Sequence, residues 1–150
     1  MSTQAMCNSF KTELLNGYHN FGSAPIRASG VSDTYYAALY FTSATLGSAT
    51  TVYAVTGEAT GTNYTAGGIV VTNATAPVLY TSTATWTPSA NLIWTALTIA
   101  TSFDTVLIYN FTQGNRAVSV HTFGAQTVTA GTFTLTMPTP GAGTSLLNLG

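Results

Sequence analysis

Few side chains in this chain of 150 residues can act as acids, bases, nucleophiles or metal ligands. The two histidines, His19 and His121, lie about a hundred residues apart, and with the single cysteine, Cys7, they show no spacing typical of a zinc site. A serine hydrolase would have to combine a histidine with Asp33 or Asp104, and no G-x-S-x-G motif supplies its nucleophile. We therefore expect no catalytic residue, no metal site and no cofactor, and we predict that the protein is not an enzyme.

One carboxylate has a distinctive local sequence. Glu58 lies in Tyr53–Gly68, YAVTGEATGTNYTAGG, where it is surrounded by glycines and flanked by Tyr53 and Tyr64. Glycine adopts backbone conformations that other residues avoid, so a cluster of glycines specifies a particular chain path. The segment lacks the lysine and the following helix that a phosphate-binding loop needs. Two interpretations remain: an ordered loop whose turns Glu58 anchors, or a loop in which Glu58 and Tyr64 contact a partner.

The composition is unusually poor in charge. Charged residues make up 5% of the chain, with a net charge of −1, whereas an ordinary soluble domain has about 25% charged residues. Threonine makes up a fifth of the residues, and its β-branched side chain favours strands. Surface charge keeps proteins apart in solution, so a charge-poor, Thr-rich surface suits packing against other subunits. We infer a component of an assembly.

Nucleic acid and membranes are not expected partners. The cations Lys11, Arg27 and Arg116 lie far apart in the sequence and form no basic stripe. The most apolar window, Leu92–Ile99, is too short to span a membrane. The first residues show no secretory signal pattern, so we expect the chain to fold in a cytoplasm.

One helix and a series of short strands must position the groups described above. The apolar residues of Asn8–Asn20 recur with helical spacing, and Glu13 lies near the start, where the helix dipole favours negative charge. We therefore predict one N-terminal helix at about residues 8–20. Phe21–Asp33 has the composition of a linker, and Thr34–Phe41, TYYAALYF, predicts a first strand with neither face fully exposed.

The rest of the chain contains further strand patterns. Strands are predicted at Ile69–Thr72, within Ala76–Pro88 (one or two), and at Leu92–Ile99, Thr105–Tyr109, Ala117–Phe123 and Thr132–Met137. Turns are predicted at Ser102–Asp104, Asn110–Asn115 and Gly124–Gly131. The pattern predicts a single all-β domain over residues 1–150: an antiparallel β-sandwich of about seven or eight short strands, jelly-roll-like or Ig-like, with one short N-terminal α-helix.

Scarce charges and an apolar tail are the best candidates for contacts with other subunits. Because charge is so rare, Glu58 and Arg116 are each expected to have a dedicated partner, and our hypothesis is that one of them bridges subunits. The tail Ser145–Gly150 docks either on its own sheet or on a neighbouring subunit. Trp86 and Trp94 are predicted core residues, although exposed tryptophans would suit sugar stacking. The candidate intersubunit or partner contacts are Glu58, Arg116, Tyr64, Leu146, Leu147 and Leu149.

Five stretches, which span most of the chain in a consistent order, resemble a family of small structural proteins of tailed-bacteriophage virions. They are NSFKTELLNGYHNF (Asn8–Phe21), ALYFTSATLG (Ala38–Gly47), TTVYAVTGEATGTNYTAGG (Thr50–Gly68), LIYNFTQGNRAVSVHTFG (Leu107–Gly124) and TAGTFTLTMP (Thr129–Pro138). This chain departs from the family in its low charge and in a longer insert at Gly22–Asp33.

Together with the composition, the resemblance implies a capsid decoration (cement) protein. Such a protein binds the outside of the major capsid lattice as a dimer or trimer and stabilises the head through many weak contacts. The expected partners are the major capsid protein and further copies of the chain, and the expected location is the capsid surface of the virion, after synthesis in the host cytoplasm. The alternatives are a neck, tail or baseplate component and a host-glycan receptor-binding module.

Overall fold

The computed structural model describes residues 1–15, 17–21, 32–72 and 76–150. This part of the chain forms two antiparallel sheets and one short helix, which confirms the predicted all-β sandwich with a short N-terminal helix. In chain order the elements are β1 (Ala5–Met6), α1 (Asn8–Leu15), β2 (Tyr35–Phe41), β3 (Ile69–Val71), β4 (Val78–Tyr80), β5 (Thr83–Trp86), β6 (Leu92–Asn110), β7 (Arg116–Leu135) and β8 (Leu147–Leu149).

A long hairpin of β6 and β7 forms the centre of the larger sheet, whose strand order is β1-β7-β6-β2-β3. The smaller sheet has the order β4-β5-β8. The predicted hairpin turn at Asn110–Asn115 is confirmed, because Asn110 pairs with Arg116 at its end. Both sheets are antiparallel throughout, and short connections join the two hairpins β4–β5 and β6–β7.

The predicted turns at Ser102–Asp104 and Gly124–Gly131 are wrong, because β6 and β7 run continuously through them. The pairing shifts instead: Phe103 pairs with Gln126 and Thr105 with Thr122, so that more residues of β7 oppose fewer of β6. A β-bulge accommodates such extra residues without ending the strand.

The helix is shorter than predicted. It ends at Leu15, and Gly17 has a φ of 71°, a left-handed conformation that commonly terminates helices. Most of the predicted linker Phe21–Asp33 lies outside the described residues, as does Arg27.

Strand β2 is buried on both faces, as predicted. One face carries Tyr35, whose ring stacks on Phe21 with centroids 4.4 Å apart, and Trp86 of β5 lies 4.6 Å from the same Phe21 ring. These contacts pack the smaller sheet against the larger one. The other face carries Tyr40, which is fully buried beneath the segment that follows β2. Trp86 and Trp94 are each 3% exposed, which confirms that both are core residues.

The apolar tail docks on its own chain. Leu147 in β8 pairs with Trp86 in β5 and is buried, whereas Leu149 is 39% exposed. Of the two locations predicted for the tail, the structure therefore has the tail on its own sheet, where it completes the smaller sheet.

Candidate functional site

The carboxylate of Glu58 is the centre of a buried hydrogen-bond cluster. The residue is 3% exposed, and its two oxygens accept three hydrogen bonds. The Tyr53 hydroxyl donates to Oε2 at 2.6 Å, and the Tyr64 hydroxyl and the Gly67 backbone N–H donate to Oε1 at 2.8 and 2.7 Å. Three donors around a buried carboxylate satisfy it without a cation.

Two further hydrogen bonds attach this cluster to the larger sheet. The Tyr64 hydroxyl also accepts the Leu39 backbone N–H at 2.9 Å, and the Tyr109 hydroxyl donates to the Gly67 carbonyl at 2.9 Å. The backbone of Glu58 itself forms an antiparallel bridge with Tyr40 of β2. A segment between two strands is thus fixed to β2 and β6 through side chains and backbone together.

Backbone bridges fix the same segment at two further points. At its start Val52 bridges to Arg116 of β7, and further along Thr62 bridges to Thr98 of β6 by two backbone hydrogen bonds of 3.0 Å. Residues 52–68 therefore cross the face of the larger sheet, from β7 to β6 and back to the start of β3. We call residues 52–68 the crossing loop.

Glycine is required where the crossing loop touches the sheet most closely. A Cβ on Gly68 would overlap the Ala37 carbonyl oxygen, and a Cβ on Gly61 would overlap that of Thr98. Gly68 also has a φ of 78°, which other residues rarely adopt. The sequence pattern of glycines around Glu58 is explained by this path, which confirms the interpretation of an ordered loop anchored by Glu58.

The tyrosines around Glu58 stay protonated hydrogen-bond donors. Burial, with the nearby Glu58 carboxylate, raises the pKa of Tyr109 to about 12. The pKa values of Tyr53 and Tyr64 are raised by the same causes, burial first. The cluster thus holds fixed donors around a carboxylate enclosed by protein, an arrangement suited to positioning the loop.

A second polar cluster joins the helix to the end of the long hairpin. Glu13 of α1 is 6% exposed; its Oε1 accepts a hydrogen bond from Arg116 at 2.6 Å and its Oε2 lies 2.8 Å from Nε2 of His19. The Arg116 guanidinium also lies 4.4 Å from the centre of the Tyr18 ring. Arg116 therefore has partners within its own chain, while part of its side chain remains exposed.

Asn110 extends this second cluster inward. Its Nδ2 lies 3.1 Å from Nδ1 of His19 and donates to Asp33 Oδ2 at 2.9 Å. A neutral His19 that carries its proton on Nε2 satisfies both of its ring contacts. Burial lowers the pKa of His19, and the neighbouring Glu13 opposes that effect without reversing it. A neutral, fully bonded imidazole in the core serves as a structural link.

Sequence reasoning missed this second cluster. No partner of His19 was predicted from the sequence, although Glu13 precedes it by six residues and the chain reverses at Gly17. The spacing of Glu13 and His19 around a helix-ending glycine was the available signal. Their link to Arg116 spans 103 residues and had no local signal.

His121 and Cys7 lie apart from both clusters. Burial lowers the pKa of His121 to about 4, and its Nε2 lies 2.8 Å from the Ser119 hydroxyl. Burial, followed by the Glu13 charge, raises the pKa of the Cys7 thiol to about 11, which disfavours the reactive thiolate. Among the described residues, no group of three or more His, Cys, Asp or Glu side chains is placed to hold a metal ion.

The predicted contact residues do not form one surface. Glu58 and Tyr64 lie in the crossing loop, Arg116 lies beside the helix, and Leu146 and Leu147 pack at the smaller sheet. Their role in contacts between subunits stays a prediction. An apolar cavity of about 390 Å³ lies between the helix, with the segment that follows it, and the smaller sheet, beside Trp86.

Comparisons with protein-family models, with curated proteins and with solved structures found no match for this chain. In the part of the chain that the structure describes, no helix is long and apolar enough to cross a membrane.

Proposed function

We propose that this chain is a bacteriophage virion structural protein, and within that class a capsid decoration (cement) protein. It binds the outside of the major capsid lattice and stabilises the head. The five stretches that resemble the tailed-phage virion family support the phage assignment, and the distribution of charge over the fold supports the decoration role.

One observation carries the proposal: three of the six charged side chains that the structure describes are buried. Glu13, Asp33 and Glu58 are 6%, 4% and 3% exposed, and Arg116 is paired with Glu13. Of the other described charged side chains, Lys11 is exposed, and Asp104 and Arg116 are half-buried. The charges that usually keep a protein soluble and separate are thus used to hold the core and the crossing loop.

A surface of this kind suits permanent contact with a repeating lattice. Threonine, serine and alanine side chains offer hydrogen bonds and small apolar groups without the desolvation cost of burying a charge. Each contact is weak, and several footprints in one oligomer add their free energies on the lattice. The partners proposed are the major capsid protein and further copies of this chain.

The experiment is quantitative mass spectrometry of purified virions, with peptides of the major capsid protein as the internal standard. A decoration protein is expected at hundreds of copies per particle. A few tens of copies or fewer would contradict that role and would favour a neck, tail or baseplate component. Trp86 and Trp94, two of the residues that suggested the host-glycan alternative, lie in the core, whereas Tyr18 and Tyr80 are partly exposed.

A further inference from the structure

The end of β7 presents an open strand edge. On one side β7 pairs with β6 along its whole length, whereas on the other side β1 pairs with Ser119 and Val120. Among the described residues, no strand pairs with that outer side of β7 beyond Val120. We call the last residues of β7 together with the two residues that follow it, Thr132–Met137 (TFTLTM), the free edge.

The free edge has none of the features that usually prevent strand pairing. Residues 117–150 contain no Asp, Glu, Lys or Arg, and the first proline after the edge is Pro138. The register with β6 is regular from Phe133 to Leu135, and the bulges of β7 all lie before this run. Charges, prolines and bulges are the devices that protect exposed strand edges, so this edge is open to pairing.

The two faces of the free edge differ in character. Thr132, Thr134 and Thr136 are exposed, whereas the alternating Phe133, Leu135 and Met137 are half-buried. The Phe133 ring lies 5.1 Å from that of Phe103 and 5.4 Å from that of Phe123. A strand added here would place its own alternating side chains beside a threonine row on one face and an aromatic group on the other.

We propose that the free edge pairs antiparallel with the free edge of a second copy of this chain. Two identical strands related by a twofold axis form a closed, self-complementary contact, in which each threonine row meets threonine and each apolar row meets apolar side chains. The segment carries no charge, so two copies can pair without bringing like charges together. This favours a second copy of the chain as the partner of the free edge. The contact deepens the proposed self-association, and it forms in purified protein without the capsid.

Paired charge variants test the contact. At the free edge, Thr134→Lys and Thr134→Glu each place like charges near one another across the twofold axis, so each dimer dissociation constant should rise at least tenfold. An equimolar mixture of the two variants should recover a heterodimer. The matched control is Thr101→Lys, which adds the same charge at an exposed position of β6 and should leave the parental constant unchanged.

Sedimentation equilibrium up to about 100 μM protein measures these constants, and circular dichroism establishes that each variant is folded. Hydrogen exchange supplies a readout without mutation: amides of residues 132–136 should become slower to exchange as protein concentration rises. A monomeric parent, unchanged self-association of both variants, or exchange at 132–136 that is independent of concentration would overturn the proposal. These results are separate from the copy number in virions, which tests the decoration role.

Discussion

The hydroxyl of Tyr64 links Glu58 to strand β2: it donates to Glu58 Oε1 at 2.8 Å and accepts the Leu39 N–H at 2.9 Å. One side chain thereby hydrogen-bonds a buried carboxylate and a backbone N–H of β2 at a position that β3 does not reach. Because β3 pairs with β2 only as far as Ala37, the crossing loop provides the next partners along that edge.

The first prediction concerns the charge of Glu58. In Glu58→Gln the new amide presents donors to groups that are themselves donors, so one or two hydrogen bonds are lost in the core. We expect the free energy of unfolding to fall by about 2 to 4 kcal/mol. Tyr53→Phe removes one donor at a less buried position and should cost about 1 kcal/mol. Chemical denaturation measures both, and equal stability of Glu58→Gln and the parent would contradict the role of Glu58 as anchor.

The second prediction concerns the close contact of Gly68 with β2. Gly68→Ala forces a Cβ onto the Ala37 carbonyl in a left-handed conformation, so we expect a loss of at least about 3 kcal/mol. Gly114 is the matched control, because its φ is 71° and a Cβ there meets nothing within 4 Å. Gly114→Ala should cost only about 1 kcal/mol. Similar thermal midpoints for the two variants would argue against the described path of the crossing loop.

The third prediction concerns the ion pair between Glu13 and Arg116. Arg116→Gln leaves the buried Glu13 carboxylate with His19 as its remaining partner, which should cost about 1 to 3 kcal/mol. The double variant with Glu13→Gln should lose less than the sum of the single variants, with a coupling of about 1 kcal/mol or more. If urea titrations show that the losses of unfolding free energy in the two single variants simply add in the double variant, the ion pair contributes nothing to stability. A folded Arg116→Gln protein that fails to self-associate would instead support Arg116 as a subunit contact.

The fourth prediction concerns acid stability. The pKa of His121 is about 4 in the folded chain and about 6.5 when unfolded, so the unfolded state binds more protons between these values. His121 therefore makes its full contribution to the free energy of unfolding above about pH 6.5. That contribution, on the order of 1 to 3 kcal/mol, is lost as the pH falls toward 4. His19, whose pKa is also lowered, acts in the same direction.

Unfolding free energies measured from pH 7 to pH 4 test this prediction in the parent and in His121→Gln. The substitution should reduce the pH dependence of the unfolding free energy. The part of that dependence that comes from His19 should remain. An unchanged slope in His121→Gln would show that His121 does not titrate differently on folding.

How far the sequence predicts the structure depends on the range of each interaction. Local patterns identified strand β2, from its aromatic run without breakers, and the turn at Asn110–Asn115. They failed at Gly124–Gly131, because glycine and polar residues signal turns and bulges alike, and only the partner strand decides between them. The glycines around Glu58 predicted an ordered loop, but the tyrosine hydroxyls that satisfy Glu58 depend on the folded path.

Longer-range features could not be predicted. The scarcity of charge predicted a dedicated partner for Arg116, but no local signal identified Glu13, which lies 103 residues away, as that partner. The tail residue Leu147 pairs with Trp86, and an apolar terminus alone does not distinguish its own sheet from that of a neighbour.

The most direct test of the proposed function is a cryo-electron-microscopy map of the intact virion. The decoration role predicts density of this fold on the outer surface of the head, repeated over the major capsid lattice, with the crossing loop and β6–β7 hairpin recognisable in each copy. Density of this fold confined to the neck, tail or baseplate, or its absence from the particle, would contradict that role.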